Sequence, residues 1–207
     1  MRAIFVLIYN LNLKHISTKE SYMEFKPLFT GKLVRLAAPK PEDNEYFAKW
    51  SENDEYLRVA DNDPAQPMTP EGWTQFETSV LNSPNSFHFR LRTLADDTLI
   101  GGVGLFQIQW MHQVASLGVA IADPAYWGKG YGTDALQLIL GYAFRELNLY
   151  RVGSSTIAYN IRSIKVHEKV GFRQEGVQRG FIHREGQRFD LILYGILRSE
   201  WEARQTL

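Results

Sequence analysis

The 207-residue chain contains no cysteine. It therefore has no disulfide framework, no thiolate nucleophile and no cysteine zinc site, and this composition fits a reducing compartment. Neither sign of charge is in excess, because the chain has 23 Lys and Arg residues and 23 Asp and Glu residues. The summed charge thus gives no reason to expect a nucleic-acid or membrane-surface partner. We expect a cytoplasmic protein.

The start of the chain lacks an apolar run long enough to span a membrane. Residues 3–9 follow Arg2 as in a weak signal peptide, but no small-residue cleavage site comes after them. Met23 opens a second plausible start, and no linker, repeat or low-complexity tract interrupts the chain beyond it. We therefore predict an N-terminal extension over residues 1–22, whose role the sequence does not define, and one domain over residues 23–207.

The hydrophobic pattern changes its period along the chain. Alternation of apolar and polar residues predicts the first strands, and helical spacing predicts two helices between them, the second beginning at Thr69 and Pro70. Helices and strands then alternate. The predicted strands are 33–37, 87–92, 99–108, 114–121, 152–158, 172–182 and 189–197, and the later helices are 131–147 and 161–170. This order predicts an α/β domain with one mixed sheet.

A glycine-rich segment lies between a predicted strand and an apolar helix. Gly128, Gly130 and Gly132 allow close approach of a bulky anion, and the free amides of the first helical turn favour negative charge. Lys129 adds a point charge and Thr133 a hydroxyl donor. The spacing fits neither the P-loop pattern nor the dinucleotide fingerprint. A diphosphate site and an ordinary tight strand-to-helix turn both remain open on these residues alone.

The same segment resembles motif A of the GNAT superfamily, Arg/Gln-x-x-Gly-x-Gly/Ala. Gly130 and Gly132 match, while Trp127 stands where Arg or Gln is usual. Residues 160–172 resemble the family's motif B, with Asn160 at its start and His167 seven residues later. Asn160 would cap the short helix and bond the pantetheine amide of the cofactor, and Gly171 suits a left-handed helix end. Residues 179–190 resemble the carboxy-terminal hairpin of the RimJ/RimL branch. The likeness covers roughly residues 28 to 200.

The resemblance implies a GNAT fold and acetyl-CoA as co-substrate, with no metal. In that fold a single, mostly antiparallel sheet of six to seven strands has a V-shaped splay between its two central parallel strands and about four flanking helices. Backbone groups of the splayed strand and of the glycine-rich helix start would hold coenzyme A. The implied cofactor-binding residues are Gly118, Val119, Ile121, Trp127, Gly128, Lys129, Gly130, Tyr131, Gly132, Thr133, Asn160 and Ser163.

The resemblance is less informative about acid and base. His167 occupies the place of the tyrosine that protonates the thiolate in many relatives, and the alternative is a half-exposed helix histidine that only flanks the cofactor. Ser116 stands near the position of the Glu that often serves as base; a serine cannot replace that base, but we keep the position as a catalytic candidate. Substitutes of suitable chemistry are His88, His112, Asp134 and His183.

The implied reaction is direct transfer of an acetyl group to a primary amine in a ternary complex. A protein N-terminal α-amine is the first choice by branch resemblance, and a small amine such as a polyamine, an amino sugar or an antibiotic is the second. A non-catalytic acyl-CoA-binding module is the alternative from another class. A homodimer is compatible with the sequence. We expect aromatic walls in the acceptor cleft, from Trp50, Tyr56, Trp73, Phe181 and His183.

Overall fold

Seven strands form one sheet in this computed structural model, which describes residues 25–81 and 83–205. The strands are β1 (Val34–Ala37), β2 (Phe87–Thr93), β3 (Leu99–Gln109), β4 (Val114–Ile121), β5 (Arg151–Ile157), β6 (Arg173–Arg184) and β7 (Gln187–Leu197). Their order across the sheet is β1-β2-β3-β4-β5-β7-β6. Adjacent strands are antiparallel except β4 and β5, which are parallel. The predicted mixed sheet is confirmed.

Six α-helices occur in the described residues, against the four or so that were predicted. They are α1 (Asp43–Trp50), α2 (Asp54–Ala60), α3 (Pro70–Leu81), α4 (Tyr131–Gly141), α5 (Ile161–Val170) and α6 (Arg198–Ala203). The two additional helices are α2 and α6, of seven and six residues. Segments of fewer than two full turns show too little of the 3.6-residue period for the sequence pattern to reveal them.

Helix α4 carries the buried contacts that fix the glycine-rich segment against the sheet. Leu136, Ile139 and Leu140 are fully buried in the main core. The predicted helix over residues 131–147 continues past Gly141 as a wider π-helical turn, Tyr142–Glu146. A short connection with one 3-10 turn, Pro124–Tyr126, joins β4 to α4, and α4 packs against the sheet, so its amino end lies near the end of β4.

The N-terminal extension predicted over residues 1–22 lies outside the described residues. None of the helices seen in residues 25–81 and 83–205 combines the length and the apolar character that a membrane crossing needs.

Candidate active site

Strands β4 and β5 pair over only three positions and then separate. The paired residues are Val114 with Arg151, Ala115 with Val152 and Ser116 with Gly153. Beyond them β4 keeps its antiparallel partner β3 on one side only. Since successive backbone groups of a strand point alternately to its two neighbours, half of those in residues 117–121 face a gap rather than a strand. The predicted splay is present, and we call this gap, between residues 117–121 and 154–157, the fork.

The glycine-rich segment turns directly into α4 at the open end of β4. Gly130 precedes the helix with φ 92°, a left-handed conformation that favours glycine, and no side chain caps the first turn. Gly128 also has a positive φ of 71°, and a β-carbon there would meet nothing within 4 Å. Gly130, Gly132 and Thr133 line an open cavity, so the uncapped amides and the positive end of the helix dipole lie where an anion could approach them.

One cavity of about 620 Å³ joins the fork to this helix start. It is lined by β4, the glycine-rich segment, β5, α5 and the end of α2. All the predicted cofactor residues lie on its wall except Lys129 and Tyr131. Lys129 is exposed to solvent, and the Tyr131 ring packs edge-on against Tyr126 with centroids 5.1 Å apart. The predicted cofactor residues that do line the cavity are thus mainly ones that present backbone groups or small side chains.

Trp127 has a structural role that its departure from the family pattern did not reveal. Its indole N–H donates to the main-chain oxygen of Ile121 at 2.6 Å, which fixes the ring at the end of β4. The guanidinium of Arg162 lies 4.0 Å above the ring centroid, within cation–π distance, and also contacts Glu55 at 3.1 Å. Arg162 thus brings a cation to the place where the family pattern has a polar or basic side chain.

Arg162 belongs to a basic face of α5 that sequence reasoning missed. Lys165 and Lys169 lie three and seven residues further on, so they share one helix face, and all three line the cavity. Basic residues spaced three and four positions apart in the predicted helix were the sequence signal that could have revealed this face. A basic face beside an anion-binding helix start suits a ligand with several phosphates.

We expect Arg162→Gln to weaken coenzyme A binding by about 3- to 10-fold, because one partly screened charge contact is removed. The loss should shrink at high salt, and pantetheine, which lacks the phosphates, should bind the variant and the wild type equally. Isothermal titration calorimetry measures both affinities. Arg173→Gln is the matched control, since its side chain is 75% exposed and pairs with Glu200 away from the cavity. Equal coenzyme A affinity in the Arg162 variant would contradict the contact.

Asn160 caps α5, as predicted. Its Oδ1 accepts from the amide of Ser163 at 3.1 Å, while its Nδ2 donates to the main-chain oxygen of Val59 at 3.0 Å. Tyr159 adds a bond from its hydroxyl to the oxygen of Arg58 at 2.6 Å. These contacts attach the end of α2 to the β5–α5 turn and make α2 a wall of the cavity. The pantetheine contact of Asn160 remains a prediction.

His167 is buried, with 2% of its surface exposed, so the half exposure that the alternative assumed is wrong, while the role of His167 stays a prediction. Its Nε2 lies 2.9 Å from Ser154 Oγ, and its Nδ1 lies 2.8 Å from the main-chain oxygen of Ser163. The ring stacks on Tyr194 at 5.0 Å and contacts Phe172 edge-on at 5.1 Å. Burial lowers the pKa of His167, and the Ser163 carbonyl opposes that shift. The imidazole is therefore fixed in position beside the fork.

The candidate bases do not gather around the cavity. Ser116 is exposed on β4, and its Oγ lies 3.5 Å from Gln107 Oε1. His112 is exposed after β3, and His183 is exposed on β6. His88 packs edge-on against Phe106 at 4.5 Å, and burial lowers the pKa of this histidine. Neither Ser116 nor any of these histidines lines the cavity.

Asp134, the remaining base candidate, is engaged in a structural contact. Its carboxylate accepts from the amides of Lys32 at 3.0 and 2.9 Å, of Leu33 at 2.7 Å and of Val34 at 3.0 Å. The residue is 7% exposed and lies in the first turn of α4. These three amides occupy both carboxylate oxygens, so Asp134 attaches the start of β1 to the glycine-rich helix, and it does not line the cavity.

The aromatic acceptor wall is smaller than predicted. Tyr56 lines the cavity, and its pKa is raised to about 12 by burial and by Asp61. Trp50 and Trp73 instead each pack against Phe47, with centroids 5.2 Å apart in both pairs. The other two predicted residues, Phe181 and His183, are exposed on β6.

In the part of the chain that the structure describes, no three metal-ligating side chains cluster in a way that could hold a metal ion.

Comparison of the chain with known proteins identifies the family to which its sequence is similar. Residues 34–173 match the model of the acetyltransferase (GNAT) domain. A probable N-acetyltransferase of Bacillus subtilis, YjcK, is 38% identical over 123 residues, which are 59% of this chain and 67% of that protein. The spermidine N(1)-acetyltransferase of Vibrio cholerae is 32% identical over 112 residues, 53% of this chain and 63% of that one.

A solved structure shares the fold over most of its length. The spermidine N-acetyltransferase of Vibrio cholerae, crystallised with CoA and spermine, superposes with a TM-score of 0.74 at 21% identity. The match covers 82% of this chain and 98% of that chain. With the fork, the uncapped glycine-rich helix start and the motif order, these matches show that the chain belongs to the GNAT family of acetyl-CoA-dependent N-acetyltransferases.

Proposed function

We propose that the protein transfers the acetyl group of acetyl-CoA to a small cationic primary amine, by direct attack within a ternary complex. One observation carries the proposal: the fork and the uncapped start of α4 line the same cavity. A thioester bound there would have its diphosphate at the helix start and its reactive end beside free backbone groups of β4. Such groups can donate to the oxygen that becomes negative as the amine attacks.

The charge around the cavity supports a cationic acceptor. Asp61 is the acidic side chain on the cavity wall among the described residues, and it follows α2 beside Tyr56. The basic side chains on the wall belong to α5, where they suit the phosphates. The cavity therefore has separate elements for the anionic and the cationic substrate. Matched proteins from Vibrio cholerae and Escherichia coli are named for spermidine, which is an amine of this kind.

A protein N-terminal α-amine is the second candidate. It is supported by the resemblance of residues 179–190 to the RimJ/RimL hairpin, which here forms the end of β6, the turn and the start of β7. The hairpin approaches the end of α2, because Arg184 donates to the main-chain oxygens of Asn62 at 3.1 Å and of Asp63 at 2.7 Å. A peptide could enter along this edge.

An amine panel tests these proposals through release of free coenzyme A. A thiol reagent reads that release without background, since the chain contains no cysteine. We expect spermidine and spermine to be turned over faster than a short peptide with a free N-terminus, and mass spectrometry should find one added acetyl group on the amine. Faster turnover of the peptide would favour the second candidate. Binding of acetyl-CoA without release from any amine would overturn acetyl transfer and indicate an acyl-CoA-binding module.

The role of Asp61 has its own test. We expect Asp61→Asn to raise the KM for spermidine by about 5- to 10-fold with little change in coenzyme A affinity, because one attraction to the ammonium is lost while the phosphate contacts remain. Asp63→Asn is the matched control, since Asp63 lies two residues away and does not line the cavity. Steady-state kinetics at fixed acetyl-CoA measure both variants. Equal KM values in the two variants would remove Asp61 from the acceptor site.

A further inference from the structure

Ser154 lies at the point where β4 and β5 separate. The last paired position is Ser116 with Gly153, so Ser154 is the first residue of β5 inside the fork. It is half-buried and lines the cavity, and its Oγ is 3.1 Å from the main-chain oxygen of Leu117 on the opposite strand. No motif marks this serine. Its hydroxyl faces the place where the reactive end of the thioester is proposed to lie.

The hydrogen bonds of His167 connect this hydroxyl to a proton-holding group. The main-chain oxygen of Ser163 can only accept, so the contact of 2.8 Å favours the tautomer with a proton on His167 Nδ1, and Ser163 Oγ, 3.3 Å from the same nitrogen, can accept from it as well. In the neutral ring Nε2 is then an acceptor, and Ser154 donates to it across 2.9 Å. In the charged ring Nε2 donates to Ser154, whose own proton is free to turn toward Leu117 or the fork.

The same heavy-atom positions therefore serve both protonation states. Each ring nitrogen faces an oxygen, while the stacked Tyr194 and the edge-on Phe172 hold the ring plane. His167 is 2% exposed although it also lines the cavity, and Ser154 Oγ occupies its Nε2 at 2.9 Å, so a proton leaves that nitrogen through Ser154. The Ser154 hydroxyl is within hydrogen-bond distance of the His167 imidazole, and the Ser163 carbonyl orients that imidazole from its other side. The hydroxyl and the imidazole therefore form a short path for a proton.

We propose that Ser154 is the group that exchanges protons with the reacting atoms and that His167 acts through it as a positioning residue and temporary proton holder. When the amine attacks, a C–N bond forms and the amine nitrogen gives a proton to Ser154 Oγ, whose own proton passes to His167 Nε2. When the C–S bond breaks, its electron pair stays on sulfur. Ser154 then protonates the sulfur and recovers a proton from His167. The attacking nitrogen is in its neutral amine form, so the proton that it loses is the one that sulfur gains, and no other reactant is needed.

This proposal rests on the proposed acetyl transfer, and its test uses the full chain with acetyl-CoA and the best amine of the panel. Ser154→Ala should lower kcat by about 100-fold, the usual scale for a lost acid–base group, with coenzyme A affinity changed less than about 2-fold. Ser154→Thr, which retains a hydroxyl, should recover most of the loss. Ser199→Ala, an exposed serine on α6, is the matched control and should equal the wild type.

His167→Gln tests the connection between the two residues. The carboxamide introduced by this substitution can still form a hydrogen bond with Ser154 but cannot hold an extra proton. The kcat of the variant should therefore fall about as far as that of Ser154→Ala. The double variant should lose no more than either single variant, because the residues act as a unit. A solvent deuterium isotope effect on kcat, present in the wild type, should change in both single variants, which a purely structural role would not cause.

Several results would overturn the relay. They are wild-type kcat in Ser154→Ala, losses that multiply in the double variant, or an acetyl group found on Ser154 by mass spectrometry, which would make it a nucleophile instead. Folding of each variant is checked by its coenzyme A affinity. If the wild type released no thiol with any amine, acetyl transfer itself would fall and the relay with it, so the two failures are distinguishable.

Discussion

Gly132→Val is expected to weaken coenzyme A binding by at least about 100-fold, or about 2.7 kcal/mol, while the protein stays folded. Gly132 is the second residue of α4 and lines the cavity. A β-carbon at this position would lie 3.8 Å from Ile121 Cγ1, an ordinary contact that the fold accommodates. The remaining methyl groups would occupy space in front of the helix amides, where a diphosphate must approach closely.

Gly132 is a cleaner test than Gly130. Gly130 has a φ of 92°, so a valine there would add backbone strain to the steric block. Gly72→Val is the matched control, because Gly72 is also near a helix start and a β-carbon there meets its nearest atom at 3.6 Å, but it lies on α3 away from the cavity. Calorimetric titration with coenzyme A and thermal melts of both variants give the answer. Wild-type affinity in folded Gly132→Val would refute the diphosphate position.

Asp134→Asn should lower the free energy of unfolding by about 2 to 4 kcal/mol, the scale expected when a buried charged acceptor with several donors is replaced. The carboxamide directs an N–H group at amides that need an acceptor. The carboxylate also favours the first turn of α4 through the helix dipole, and that contribution is lost. Gly31 leaves room for this contact, since a β-carbon there would lie 2.5 Å from Asp134 Oδ2.

The same substitution should also weaken coenzyme A binding. Leu33, one of the residues held by Asp134, places its Cδ1 3.4 Å from the position of a Gly130 β-carbon, so a shift of residues 32–34 disturbs the glycine-rich segment. Urea unfolding followed by tryptophan fluorescence measures the stability. Asp97→Asn is the control, because Asp97 forms an exposed ion pair with Arg35 and its loss should have little effect. Equal midpoints for the two variants would show that the contact contributes no stability.

Some parts of the site could be predicted because they depend on residues that are neighbours in the chain. Gly130 and Gly132 at the start of an apolar helix predict an anion site through backbone groups alone, so the prediction required no knowledge of distant contacts. The cap at Asn160 and the left-handed helix end at Gly171, with φ 108°, are equally local. The prediction of a splay between the two parallel strands came from the resemblance to the GNAT family.

Other parts could not be predicted, because they join residues far apart in the chain. Arg162 reaches Trp127 only after α5 packs beside the end of β4, and the amides held by Asp134 lie about a hundred residues before it. The same limit explains why Ser116 was named for the site although it faces solvent and lies outside the cavity. A strand residue's direction depends on register, which the sequence of one strand does not reveal.

The sequence by itself determined the class of fold and predicted a position for a diphosphate, because hydrophobic period and glycine freedom are local properties. Only the tertiary structure decided which side chains meet in the fork. Ser154 and His167 lie on a strand and on the following helix, and their contact at 2.9 Å exists because α5 packs back over the separated end of β5. Local pattern specifies backbone conformation, whereas the meeting of side chains depends on how the elements pack.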